Sequence, residues 1–185
     1  MKKQQIQYRA FVSLEEVAQW VAQCYTPKEL MELSALINSD TPLADYKGGL
    51  YRVMNQYLRL HCETYQSDYD IVGLQKFLLS KRLCESVAAF RFVCVKELWA
   101  LWWNTRFGKE YEYPSFLSTT LLKNHYSMND IKKSRIAIAI YMPQGTCGTY
   151  LPEVNSDKPE FEILLPYRLK IRRLSWNKYE IISNQ

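Results

Sequence analysis

The apolar residues change period partway along the chain, and that change sets the fold class. Up to residue 107 they recur mostly at helical spacing. From Tyr111 onward they come in short β-branched or aromatic runs cut by Gly, Pro, Asn and Asp. Ser13 followed by Glu16 reads as a capping box, and Leu14, Val17, Trp20 and Val21 then mark one helix face. Thr26 and Pro27 end that helix and open "PKELMELSALIN". In "YKGGLYRVMN", Gly48 and Gly49 break the helix and a short strand over Leu50 to Met54 is expected. "GLQKFLLSKRLCESVAAFRFVCVKELWALWWNTRF" reads as one or two apolar helices. "YEYPSFLSTT", "SRIAIAIYM", "GTCGTYL", "EFEILLPY", "LKIRRLSW" and "YEIIS" read as strands. A helical first part followed by a β-rich second part is the pattern of an α+β domain. With 185 residues and no repeat or linker, one domain over 1–185 is expected: a helical lead over 1–47 and a core over 48–185 carrying a helical insertion at 70–107.

Several function classes are made remote by what the chain lacks. Lysine and arginine exceed aspartate and glutamate by 24 to 19, a formal charge of +5, which suits an anionic ligand but is too dilute for a dedicated nucleic-acid binder. Cys24, Cys62, Cys84, Cys94 and Cys147 are odd in number and widely spaced, so neither a disulfide framework nor a zinc site is expected and a reducing compartment fits. His61 and His125 are the only histidines, with no paired-ligand spacing, so no metal is expected. The start "MKKQQIQYRAF" lacks the apolar core of a Sec signal, a pattern that fits a cytoplasmic protein or one injected into a target cell by a dedicated secretion system. "VAAFRFVCVKELWALWW" is interrupted by Arg91, Lys96 and Glu97 and reads as a buried helix rather than a membrane span.

Two short stretches could carry chemistry. "PEFEILLPYRL" sets Glu160 and Glu162 at i and i+2, which on a strand share one face, and two adjacent carboxylates can divide charge stabilisation from proton acceptance. "YPSFLSTTLLKN" ends its aromatic-flanked run in Ser118, Thr119 and Thr120, hydroxyls that elsewhere cap helices or fill turns.

Together with an arginine in "GGLYRV", these stretches resemble the mono-ADP-ribosyltransferases of the arginine–serine–glutamate class, the group of the C2- and C3-like toxins and the ecto-transferases. The matching pieces are Tyr51-Arg52, Phe116-Leu117-Ser118-Thr119-Thr120 and Glu160-Phe161-Glu162-Ile163-Leu164-Leu165-Pro166, and "MPQGTCGTYLPEV" resembles the approach to that family's substrate-recognition loop. Thr120 stands where the family has a serine. Arg59 and Arg91 are rivals to Arg52, but neither follows the Gly-Gly-aliphatic-Tyr lead.

The resemblance implies a β-sandwich core that binds NAD as substrate and transfers ADP-ribose to a protein acceptor. Arg52 would bind an NAD phosphate through its fork of donors. Ser118 would hydrogen-bond Glu162, with Thr119 and Thr120 beside the cofactor and Tyr126 stacked on the nicotinamide. Glu162 would stabilise the oxocarbenium-like transition state, as carboxylates do in glycoside hydrolysis. Glu160 would deprotonate the acceptor, and glutamate at this position goes with arginine acceptors. The loop Leu151 to Lys158 would meet the target. An NAD glycohydrolase, a nucleic-acid acceptor and an inactive NAD-binding module are the alternatives. A monomer without membrane contact is expected.

Two surface features have plainer readings. Arg168, Lys170 and Arg172 in "YRLKIRRL" read first as a solvated strand face and second as contact with an anionic partner. Trp99, Trp102 and Trp103 read first as core packing and second as an exposed docking helix, since adjacent tryptophans cannot share a helix face.

Overall fold

A computed structural model describes residues 6–60, 70–123, 135–152 and 160–182. Two helices lead: α1 (Leu14–Cys24), whose first turn is capped by the Ser13 hydroxyl accepting from the Glu16 amide, and α2 (Pro27–Ile37), with a reciprocal Thr26/Glu29 capping box. One turn of helix, α3 (Pro42–Asp45), runs through a π turn (Tyr46–Leu50) into α4 (Tyr51–Arg59), and α5 (Ile71–Ser80) starts on the Asp70 cap.

The strands are β1 (Val87–Val93), β2 (Glu110–Glu112), β3 (Leu117–Thr120), β4 (Ile136–Met142), β5 (Thr149–Leu151), β6 (Glu162–Leu165), β7 (Lys170–Ser175) and β8 (Lys178–Ile182), with α6 (Val95–Asn104) between β1 and β2. They hydrogen-bond in the order β2-β7-β8-β4-β1-β3-β6-β5, antiparallel except for the β4–β8 pair. Strands β1 and β4 share seven registered pairs from Val87↔Met142 to Val93↔Ile136, whereas β1 and β3 share only Phe90↔Thr120. A five-stranded half and a three-stranded half therefore meet along a nearly unpaired seam.

Alternation along β6 feeds two cores. Ile163 and Leu165 join Trp20, Val87, Ala89, Ile138 and Ile140, while Leu164 joins Phe116 and Leu151 beneath Leu43, Tyr46, Met54 and Leu74 of the helical layer. Each such side chain, fully buried, contributes about 1.5–3 kcal/mol. All four residues of β6 are buried, and the strand is the floor shared by both cores.

Three expectations are corrected. Val87–Val93 is a strand inside the stretch read as a helical insertion: it is central and buried on both faces, so its apolar run lacks the alternation that marks a half-exposed strand. Leu50 to Met54 is not a strand. Gly49, at φ +113°, kinks the chain within the π turn just before α4, a helix that buries Met54 and Asn55. Cys24 and Cys84 form a disulfide, their Cα atoms 5.7 Å apart, which takes away the cysteine argument for a reducing compartment; Cys94 and Cys147 are free.

On the surface, α6 buries Leu98 and Leu101 and leaves Trp99 and Trp103 exposed, so the exposed reading holds for those two tryptophans. Trp102 lies under the Arg173 guanidinium, 5.0 Å from it. The basic residues near β7 face carboxylates across the sheet: Arg168 is 3.5 Å from Glu112, Lys170 3.8 Å from Glu110, and Arg172 2.6 Å from Glu180. The stripe is thus a solvated, charge-balanced face. No helix among the described residues is long and apolar enough to cross a membrane.

Gly148 shows how tightly β5 enters the sheet. A Cβ there would lie 2.5 Å from Leu165 Cδ2 and 2.8 Å from the Leu164 carbonyl oxygen, at a φ of +140°. The β6 backbone cannot yield without breaking its ladder. Gly148→Ala is expected to lower stability by about 2–3 kcal/mol, read as a reduced urea midpoint; an unchanged midpoint would show that the turn relaxes.

Candidate active site

Glu162 opens β6 opposite Thr120 of β3 and Leu151 of β5, and it is only 4% exposed. A carboxylate so placed needs a partner. The partner is Lys47, whose Nζ lies 2.8 Å from Glu162 Oε2 and 2.8 Å from Glu160 Oε2. Burial would lower the Lys47 pKa, but the charge of Glu162 and the hydrogen bonds to both glutamates outweigh it and raise it above the ordinary lysine value. Lys47 is therefore a fixed ammonium between two carboxylates.

The π turn aims it there. Tyr46, 3% exposed, packs edge-on against Phe116 at 5.6 Å and accepts a hydrogen bond from Asn55 Nδ2, which anchors the turn one residue before Lys47. Burial, and next the Glu162 charge, push the Tyr46 phenol well above its usual value, while Arg91 opposes them.

Glu160 and Glu162 do converge, though strand alternation is not the cause. Strand β6 starts at Glu162, and Phe161 sits in the left-handed region at φ +48°, so the backbone turns between the two glutamates. The hydroxyl run secures that turn. Thr120 Oγ1 donates to the Glu160 carbonyl at 2.7 Å, and Thr119 Oγ1 donates to the Ile163 carbonyl at 3.1 Å. Both threonines are buried with their hydroxyls on backbone oxygens, a supporting position rather than the expected one beside a cofactor. Ser118 shares the Glu162 face of the sheet, two registered pairs along. Among the described residues its hydroxyl makes no hydrogen bond to Glu162, whose Oε2 is taken by Lys47.

Arg52 does not reach this cluster. It lies exposed on α4, with its Nε donating to the Tyr51 hydroxyl at 3.0 Å. Arg59, two turns further along the same helix face, does come in: Nε donates to Ser115 Oγ at 3.3 Å and Nη2 is 3.9 Å from Glu97.

The strand arginine beside the hydroxyl run is Arg91 of β1. Its Nη1 donates to the Ser118 carbonyl at 2.9 Å and its Nε to Glu97 Oε1 at 3.1 Å. Tyr113 donates to the same Glu97 oxygen at 2.6 Å. Burial pushes the Glu97 carboxyl up, but Arg91, the Tyr113 hydroxyl and Arg59 prevail and hold it below the usual carboxylate range. In the sequence Arg91 lacks the Gly-Gly-aliphatic-Tyr lead that favours Arg52, and its stretch reads as helix. The alternation in "AFRFV", a charge between two aromatics, was the available signal. Nothing local marked Lys47, whose carboxylates lie 113 and 115 residues away. Tyr126 and most of the loop Leu151 to Lys158 fall outside the described residues. No group of three or more His, Cys, Asp or Glu stands together among those described.

The arrangement offers an acidic pair and two arginines, Arg91 of β1 across the seam and Arg59 of α4 beside Ser115. It can take a ligand with a cationic reacting centre and an anionic tail.

Comparison with known proteins gives this arrangement a family. No curated protein matches the sequence. Solved structures share the fold at low identity. The ADP-ribosylating toxin BECa of a C. perfringens binary enterotoxin, solved with NADH, has a TM-score of 0.67 at 20% identity over 96% of this chain; the chain spans only 50% of that relative. C3stau2 from S. aureus, solved with NAD, has a TM-score of 0.64 at 16% identity over 94% of this chain and 96% of that one. The Clostridium limosum C3 exoenzyme has a TM-score of 0.67 at 16% identity over 96% and 98%. The family model described as ADP-ribosyltransferase exoenzyme matches residues 18–184, nearly the whole length. The chain belongs to the ADP-ribosyltransferase exoenzyme family.

Proposed function

We propose that this ADP-ribosyltransferase is a mono-ADP-ribosyltransferase that cleaves NAD, releases nicotinamide and transfers ADP-ribose to an arginine of a protein. The observation that carries the reading is the buried Glu162 held beside the more exposed Glu160 on one cation. Glu162, almost without solvent, is suited to stabilising positive charge that develops on the ribose as the bond from C1′ to the nicotinamide nitrogen breaks and nicotinamide leaves with the electron pair. Glu160, half in solvent, is suited to taking the proton from the arginine nitrogen that bonds to C1′ and passing it to water.

The pyrophosphate goes to the two arginines near the start of β3. Arg91 and Arg59, rather than the exposed Arg52, stand close to β3 and present the guanidinium forks that phosphate favours. Ser118, on the Glu162 face, lies where its hydroxyl can steady Glu162 once a ligand is bound. Thr119 and Thr120 support the glutamates through the backbone, and Tyr126 keeps the proposed place against nicotinamide. The solved relative BECa is named as a toxin, and action on a protein of a target cell extends the same reading.

The test separates the two glutamates. Glu160→Gln is expected to cut transfer of label from NAD to agmatine, a small guanidinium acceptor, by about a hundredfold while leaving nicotinamide release in its absence within a few-fold of wild type. Equal loss of both activities would remove Glu160 as the acceptor's base. Label that moves to cell protein but never to agmatine would point to another acceptor side chain.

A further inference from the structure

The ammonium of Lys47 stands where the acceptor has to be. An arginine that gives its proton to Glu160 while bonding to a ribose carbon beside Glu162 must place its guanidinium between those two carboxylates. That place is filled: Nζ is 2.8 Å from an oxygen of each, and the Lys47 side chain is 20% exposed. From this geometry, and resting on the transferase reading above, we infer that Lys47 is a specificity-determining residue that fills the acceptor's cation subsite and favours cationic acceptors over water.

The argument is one of charge balance. A guanidinium that displaces the ammonium replaces one positive charge with another, so the carboxylate pair stays compensated. Water brings no charge. If water displaced Lys47, the Glu162 carboxylate, on a side chain only 6% exposed, would lose the cation it is held against. While Lys47 stays in place, Glu160 is engaged by a full positive charge and is a poor base toward water. The exchange itself breaks no bond in the lysine. After it, the bond from C1′ to nicotinamide breaks with its electron pair on nicotinamide, the arginine lone pair bonds to C1′, and the arginine proton goes to Glu160.

The local structure lets the lysine leave. Its neighbour Tyr46 is fixed in the core, so the turn stays, and the lysine's four-carbon stem offers rotatable bonds through which the ammonium can be displaced. Nothing lies within 4 Å of where a Cβ would stand on Gly48 or Gly49, so the next two residues leave open space beside the turn.

The test uses the full chain and measures nicotinamide release without acceptor and transfer to agmatine. Lys47→Met is expected to raise release about tenfold and to lower the agmatine KM several-fold, cutting the ratio of transfer to hydrolysis by about tenfold. Lys47→Arg, which restores a cation, is expected to return that ratio toward wild type. Lys47→Gln, neutral but able to hydrogen-bond both glutamates, serves if Lys47→Met does not fold, and is expected to behave as Met. If a neutral variant loses both activities together with the agmatine KM unchanged, Lys47 merely supports the carboxylates and the inference is overturned. Glu162→Gln run in parallel keeps the two readings apart. Nicotinamide release surviving in that variant removes the transferase assignment, whereas a silent Glu162→Gln with unresponsive neutral Lys47 variants removes this inference alone.

Discussion

Replacing Glu162 by Gln is expected to lower nicotinamide release from NAD by about a thousandfold with little change in the KM for NAD. The substitution keeps the shape and a hydrogen-bonding oxygen and removes only the charge. Charge is what the position supplies: the side chain is 6% exposed, so its field on a developing cation is little screened. The ground state is less affected, since in the proposed reading the pyrophosphate binds Arg91 and Arg59 and not Glu162. Folding should survive, because Lys47 keeps Glu160 as its partner and Thr119 and Thr120 still secure the turn through backbone oxygens. A variant releasing nicotinamide within tenfold of wild type would mean that another group bears the charge.

The second large effect is on stability. Arg91→Leu should cost about 3–5 kcal/mol, a fall in Tm of roughly 10 °C, because it takes from Glu97 its nearest cation, leaving only Tyr113 and the more distant Arg59, and leaves the Ser118 carbonyl without this donor. The pH dependence identifies the cause. The folded Glu97 carboxyl is held below its ordinary value near 4.5, so its contribution to stability is present above that pH and is lost as pH falls through the folded value. The gap in Tm between wild type and Arg91→Leu should therefore narrow between pH 7 and pH 3. A gap that stays constant would assign the loss to packing instead.

How much of this was legible in the sequence depends on how local the signal was. The strands from Glu110 onward were readable because their β-branched runs are short and bounded by turn residues. The helix caps at Ser13 and Thr26 were readable because capping is settled within four residues. Strand β1 was hidden by its position: central, flanked by helices, with Ala88 and Ala89 giving no β preference. With it went the alternation that marks Arg91 as a strand arginine bonded to the hydroxyl run. Glu160 and Glu162 were found on an argument from alternation that the φ of Phe161 contradicts; what unites them is a lysine from the other end of the chain. A contact of that kind belongs to the folded chain and leaves no periodicity behind.

The Cys24–Cys84 bond bears on that lysine from a different side. Residues 24 and 84 enclose all of α2, α3, α4 and α5, and with them Lys47 and Arg59, so the helical cover of the site is a closed loop with both ends pinned to the rest of the molecule. When those helices lift from the sheet they remain in its vicinity. Their return is a first-order event at an effective concentration on the order of millimolar, and it is independent of how dilute the protein is. Reducing the bond ties the loop only through the backbone, so the same helices then search a larger volume before Lys47 finds its two glutamates again.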